Sequence, residues 1–537
     1  MTEPPPSPTR RVLLTVLIVA TVFCGFSLLH VTVPGVNEPH YLCKARATWD
    51  TSWCSRDFFL KSPAAHAVFF DVVGWFTLHW SLEEVACAGR VISAVILGWG
   101  WTTLASPFGL RMRGIVAAAA LLCLISLTGN LSGEWVLGGF ESKVPAWGFG
   151  FAAAGNWLQK SRNDGHLLHW VLPGVWLGMA TTLHPVVGAW CIIAVSMAHG
   201  SLLLPAIQRV VSSGEMPSTL LLRQWSVMTL TALIFALPGV VPALQVVMSS
   251  DLSPWEQGMA NRVQVFMRLK HHLDPSRFRP AAWVHSAILL AVIGVCSWRL
   301  LNSVKASVIR RHLLILASGL VIAVTGICIG AHRGEVAHLY HWSPRAFLLK
   351  FYPFRLIDVL IPVTASILAV VLWKEKVQPA WTARNKLDSR AAVAVLVVGA
   401  FLAGYATRQK TPAGYSVAHF AEWKDACIWI QENTHPDSLF VTPREAVGFK
   451  WYAERAEVVC YKDCPQDGAG ILEWRQRLRD LGWMRPVQLE RALEPSDLQW
   501  LKQHFTATHL ITRDHVVDGQ TPVFENDVWR VYDLNGY

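Results

Sequence analysis

The chain has 537 residues, of which 53% are hydrophobic and only 16% charged. A soluble domain carries about 25% charged residues, which excludes a water-soluble globule over most of the length. The net charge of +10 gives no reason to expect nucleic acid as a partner, since basic residues held on the cytoplasmic side of a membrane protein produce the same excess.

Residues 1–11 begin with a Pro-rich run and read as a disordered cytoplasmic N-terminus. From Val12 to Val33 there is no Asp, Glu, Lys or Arg, and a run of this length can span a bilayer. No small-x-small cleavage site precedes Asn37, so the run reads as an anchor and not as a removed signal peptide. Residues 34–83 then form a first outer loop that crowds Glu38, His40, Tyr41, Asp50 and Asp57 together with Cys43 and Cys54. Within it, "HAVFFDVVGWFTLHW" (66–80) is apolar but short and carries Asp71, so it reads as a helix lying at the membrane surface. Apolar runs at 84–105, 113–129, 143–159, 167–183, 185–199, 225–247, 282–299, 312–330, 352–373 and 391–407 bring the total to about eleven spans, in a membrane domain of residues 12–410. The 26 tryptophans fit a chain with many membrane interfaces.

Orientation follows from Lys and Arg. With the N-terminus inside, Arg10 and Arg11, Arg111 and Arg113, Lys160 and Arg162, Arg310 and Arg311, and Lys374 and Lys376 all fall inside. These loops are about twofold denser in basic residues than the opposite ones. Residues 411–537 then lie outside the membrane. There "VAHFAEWKDACIWIQENT" has helical apolar spacing at Phe420, Trp423, Cys427 and Ile430. "SLFVTP", "AEVVC", "THLIT" and "VWRVYDL" read as strands, and "AGILEWRQRLRDL" and "SDLQWLKQHF" as helices. The expected fold class is an α-helical polytopic membrane protein with a C-terminal extracytoplasmic α/β domain. An oxidising compartment permits a Cys43–Cys54 disulfide that braces the first loop. "CYKDC" (460–464) supplies two thiols where a structural zinc site takes four ligands.

The outer loops carry the acids and histidines: "NEPHY" (37–41), "GEWVLGGFESK" (133–143), "TLHP" (182–185), "RLKHHLDP" (268–275) and "AHRGEVAHLYHW" (331–342). Ionisable residues at span ends are costly and face a cavity or a partner, so these loops are expected to share one pocket. Its candidate lining is His40, Tyr41, Glu141, Lys143, His184, His271, His272, Arg333 and Arg345, with Glu38 and Asp57 as the reactive acids. Arg90 and Asp358 lie near span ends, charges within the spans are scarce, and no paired halves are visible. A lipid or polysaccharide transporter or flippase, which needs such features, is therefore the alternative reading.

"NEPHYLCKA" resembles the acidic "DE-x-x-Y-x-x-x-A" type start of the GT-C superfamily, integral membrane glycosyltransferases that use polyprenyl-phosphate-linked sugars. The order of span, acidic loop, interfacial helix and span is similar too. Within that superfamily the chain looks most like bacterial membrane proteins with "FKWYAERAEVV" and "YKDCPQD" type sequences in a C-terminal outer domain. The resemblance implies a glycosyltransferase in a bacterial cytoplasmic membrane, moving a sugar from a lipid-linked donor to a cell-envelope acceptor at the outer face. Glu38, with Asp57 second, would take the proton of the acceptor hydroxyl. Lys143, Arg333, Arg345, the His271–His272 pair or a divalent metal would neutralise the leaving phosphate. The first position of the acidic pair is Asn37 here, which keeps an inactive GT-C-like envelope scaffold as a further alternative.

Overall fold

The computed structural model describes residues 7–159, 166–203, 219–248, 251–338, 341–379, 389–411, 417–444, 447–482, 493–513, 516–517 and 519–536. Lys160 and Arg162 lie outside the described residues.

Helix α1 (Pro8–His30) starts where the Ser7 hydroxyl accepts from Arg10 N and Pro8 fills the first turn. It therefore takes in Pro8 to Arg11, a stretch the composition assigned to a disordered tail. In the first loop lie α2 (Glu38–Trp49), α3 (Phe58–Lys61) and α4 (Ala67–Thr77). At 11 residues, α4 is about 16 Å long, half of a bilayer core, and it packs along α2. A capping box of Ser81 and Glu84 opens α5 (Leu82–Ala105). Then come α6 (Met112–Ser126), α7 (Lys143–Gln159), α8 (Val171–Leu183) and α9 (Pro185–Gly200), followed by the long apolar helices Thr219–Met248, Pro280–Leu300, Ala306–Gly330, Arg355–Leu372 and Ser389–Ala406.

Among the described residues, six helical segments are long and apolar enough to cross a membrane: Pro8–His30, Leu82–Phe108, Thr219–Met248, Pro280–Leu300, Ala306–Gly330 and Arg355–Val377. The chain is an integral membrane protein. Small residues set how closely its helices approach. A Cβ at Gly100 would stand 2.0 Å from the Gly148 carbonyl oxygen, so α5 and α7 meet backbone to backbone. A Cβ at Gly89 would strike the Phe140 ring at 2.1 Å. The first contact holds α7 itself, and the second the loop that enters it, against α5.

After Asn433 the chain builds a five-stranded sheet in the order β2-β1-β3-β5-β4. The strands are β1 (Leu439–Val441), β2 (Ala456–Glu457), β3 (His509–Thr512), β4 (Phe524–Glu525) and β5 (Arg530–Asp533). β1 runs parallel to β2 and β3, while β5 is antiparallel to β3 and β4. Helices Val417–Asn433, Gly468–Asp480 and Pro495–Phe505 complete this C-terminal domain. Its core is continuous with the first loop, for Leu42, Cys43, Trp53 and Phe59 share one apolar cluster with Val441, Val458, Trp474 and Leu510. Polar contacts reinforce the seam. Arg46 pairs with Glu454 at 3.3 Å, Arg56 donates to the Thr506 carbonyl at 2.6 Å, and Ala65 N donates to Gln466 at 2.7 Å. Cys43 and Cys54 are buried, free thiols inside this cluster, so packing and not a disulfide braces the loop.

Candidate active site

The two acids favoured from the sequence are built into the frame. Glu38 is fully buried, and its carboxylate accepts from Arg90 Nε at 2.7 Å, Arg90 Nη2 at 2.8 Å, Phe140 N at 2.6 Å and Gly35 N. Arg90 also donates to the carbonyls of Val31 and Thr32 at 2.9 and 2.6 Å. Every ordinary acceptor position of Glu38 is thus taken, and the residue ties α2 to α5. Asp57 caps α3 through Leu60 N at 2.9 Å, accepts from Glu457 N at 3.1 Å and lies 3.4 Å from Lys450 Nζ. Neither is free to take a substrate proton.

The residue beside Glu38 leads to a different cluster. Asn37 Nδ2 donates to Glu141 Oε1 at 2.6 Å, while Asn37 Oδ1 accepts from Lys462 Nζ. Lys143 Nζ lies 3.4 Å from Glu141 and 3.7 Å from Glu134. Glu134 also meets Arg355 Nε at 3.0 Å and accepts from Trp147 Nε1 at 3.2 Å. Arg355 Nη1 is 3.2 Å from His184 Nε2, and the His184 ring lies 4.6 Å from that of His66. Arg268 joins by donating to the Lys462 carbonyl at 2.7 Å, while its own Nε is buried without a hydrogen bond. So too is His66 Nδ1.

Local structure explains the convergence. Lys143 begins α7, His184 caps α9, and Arg355 begins the helix Arg355–Leu372. The positive dipole ends of these helices therefore face one place. The loop before α7 is fixed from below by Asp358, which accepts from Leu131 N, Ser132 N, Ser132 Oγ and Glu134 N at 2.6 to 3.1 Å. The backbone at Gly133, with φ of 78°, makes the turn that only glycine adopts without strain. From Glu134 a narrow, open cleft runs between apolar spans, past Leu122, Ile125, Leu289, Ile357 and Ile361.

Burial raises the Glu141 carboxyl, and Lys143, Asn37 and Lys462 partly offset the rise. Burial likewise raises the Tyr41 hydroxyl, helped by Glu141. It lowers the Lys462 ammonium, helped by Arg268. His66 is pushed down to about 3 by burial and then by Arg355, so its ring is neutral at pH 7. Burial and His271 push His272 down to about 3, and its Nδ1 bonds the Ser132 carbonyl.

Of the residues chosen from the sequence, Glu141, Lys143 and His184 belong to the cluster, and Tyr41 and His272 border it. His40 is turned to Asp463, at 2.8 Å. His271 is exposed beside His272. Arg333 is exposed and Arg345 half-buried, and neither makes a side-chain hydrogen bond or ion pair among the described residues. Sequence reasoning missed Glu134, Arg268, Arg355 and Lys462.

A divalent metal was tested against two places. Ligand atoms of Glu457, Cys460 and Asp463 lie within 4.8 Å of one another, a spacing that can hold an ion. The Lys450 ammonium bonds Glu457, lies 2.8 Å from Asp463 and fills the cation's position, while burial holds the Cys460 thiol protonated. Between Glu134 and Glu141, Lys143 stands in the same way. The residues at both places fit an ammonium better than a metal.

A family model described as a domain of unknown function, DUF6798, matches residues 421–481. That stretch includes Lys450, Glu457, Cys460, Lys462 and Asp463. No curated protein matches the chain. Among solved structures, the Archaeoglobus fulgidus oligosaccharyltransferase in complex with Zn and sulfate is similar at 12% identity and a TM-score of 0.44, over 93% of this chain and 68% of that one. Arabinosyltransferase EmbB from Mycobacterium smegmatis is similar at 14% identity and a TM-score of 0.31, over 70% of this chain and 42% of that one.

Proposed function

We propose that the chain is a membrane glycosyltransferase of the GT-C type, with Glu141 as its catalytic base. In this reading the N-terminus is cytoplasmic and about eleven spans place the cluster and the C-terminal domain at the outer face. The donor is a polyprenyl-phosphate sugar and the acceptor a hydroxyl of the cell envelope. The observation that carries it is a buried carboxylate, Glu141, set among Lys143, Lys462 and the ends of three helices, with Glu134 of the same cluster lining a cleft between apolar spans.

The acceptor oxygen attacks the anomeric carbon as its proton passes to Glu141, and the bond from that carbon to the phosphate oxygen breaks. Negative charge grows on the departing lipid phosphate, where Lys143 and Arg355 stabilise it. The second carboxylate, Glu134, is held by Arg355, Lys143 and Trp147 and cannot serve as a nucleophile, so the reaction inverts the anomeric centre.

Glu141→Gln keeps the shape and the Asn37 contact but cannot accept a proton. It is expected to lower sugar transfer in reconstituted membranes by about 10²-fold or more, with expression and unfolding temperature unchanged. Transfer within twofold of wild type would remove Glu141 from the mechanism.

A further inference from the structure

Most cations around the cluster have an acidic partner. Lys143 and Arg355 face Glu134 or Glu141, and Lys450 faces Asp57, Glu457 and Asp463. Lys462 does not. Among the described residues its ammonium bonds only the neutral Asn37 oxygen. Its neighbour Arg268 also lacks a carboxylate, and Arg268 Nε is buried without a hydrogen bond. Two partly buried positive charges thus stand side by side at the edge of the cluster with no carboxylate in direct contact, Glu141 and Asp463 acting on Lys462 only from farther off, an arrangement that an arriving anion would relieve. The loop that carries Lys462 is held on both sides: Asp463 by His40 and Lys450, and the Lys462 carbonyl by Arg268.

Asn37 has the chemistry this requires. It must accept from an ammonium and donate to a carboxylate at once, which an amide does and an acid cannot. An aspartate at 37 would set two carboxylates 2.6 Å apart. The amide in place of the acid is therefore matched to a lysine arriving from the C-terminal domain.

We propose that Lys462, with Arg268, binds the phosphate of the lipid substrate, so that the site is complete only when the C-terminal domain contributes its 460–467 loop. This rests on the glycosyltransferase reading. Asn37 is the positioning residue that aims the ammonium and keeps it from collapsing onto Glu141. Lys462 and Arg268 also supply the positive charge that a divalent ion would bring to the phosphate.

The test uses the full-length protein in lipid nanodiscs, with a polyprenyl monophosphate and the matching neutral polyprenol as probes and binding read by native mass spectrometry. Lys462→Gln should weaken phosphate-lipid binding about tenfold, the worth of one charge-assisted hydrogen bond, with polyprenol binding unchanged. Lys462→Arg should retain most of the affinity. Equal binding of the phosphate lipid by wild type and Lys462→Gln overturns the inference, as does an equal loss for both lipids, which would mark a structural role. A wild-type protein that does not prefer the phosphate lipid overturns the glycosyltransferase reading as well. Should Lys462→Gln fail to fold, Arg268→Gln decides, with the same selective loss expected and its absence fatal.

Discussion

Glu38 and Glu141 are both buried carboxylates near the first loop, and their partners divide their roles. Glu38 has a guanidinium and two backbone amides closed around it. Removing it strands Arg90, which is 3% exposed, without a counter-charge. Glu38→Ala is therefore expected to cost about 3–5 kcal/mol of stability, read as a large fall in unfolding temperature in detergent. Glu141 keeps acceptor capacity beside Asn37 and Lys143, and its carboxyl is raised by burial. The base must be ionised, so transfer should climb as pH rises through that raised value. Lys143 favours the ionised form, so Lys143→Gln should move this acid limb to higher pH. A limb that stays in place in a pH–rate profile would exclude Glu141 as its source. Glu141 and Lys143 were visible in the sequence because they sit at the entrance to an apolar run. Arg355 was not, since the expected span 352–373 enclosed it. The usable signal was the charge itself, because an arginine inside an apolar run needs a partner. Glu38 looked reactive because a sequence shows an acid but not the arginine 52 residues later that neutralises it.

The same limit acts on elements. Each expected span has a helix at or near its place, because apolar length is a local property. Depth and contact are not local. The tryptophans were expected at membrane interfaces, yet Trp101, Trp147, Trp157 and Trp170 lie fully inside the bundle, where Trp101 Nε1 donates to the Ile115 carbonyl at 3.1 Å. "AEVVC" reads as one strand, but only Ala456 and Glu457 pair with β1, and the chain then leaves the sheet to bring Lys462 to Asn37. The close approach of α5 and α7 hangs on glycines that the sequence does not mark as special. Gly100→Val would drive a side chain into the Gly148 carbonyl and part the two helices. Both unfolding temperature and transfer rate should fall, because α7 carries Lys143 and its entry loop carries Glu141. Wild-type values for both would show that the helices do not meet as tightly as described.

Across the whole molecule, the C-terminal domain and the first loop share one buried ammonium in addition to their apolar seam. Lys450 bonds Glu457, lies 2.8 Å from Asp463 and 3.4 Å from Asp57, so residues of both parts share its charge. Burial alone would raise the Asp463 carboxyl, but Lys450 and His40 outweigh it and hold it well below the usual carboxylate range. A carboxyl depressed in the docked state favours docking above its free value, and that stability is lost only as pH falls through the depressed one. Asp463 therefore adds no pH dependence to docking from neutrality down to mild acid. Lys450→Met reverses the sign. Three carboxylates would then be buried together without a cation, burial and mutual repulsion would push them up, and docking would be favoured only where they are protonated. Hydrogen exchange at β1 and the 460–467 loop should accordingly be fast in Lys450→Met at neutral pH and slow again in mild acid. If the variant exchanges as slowly as the wild type at neutral pH, the domain is held by its apolar seam, and Lys450 is a bystander to the placement of Lys462.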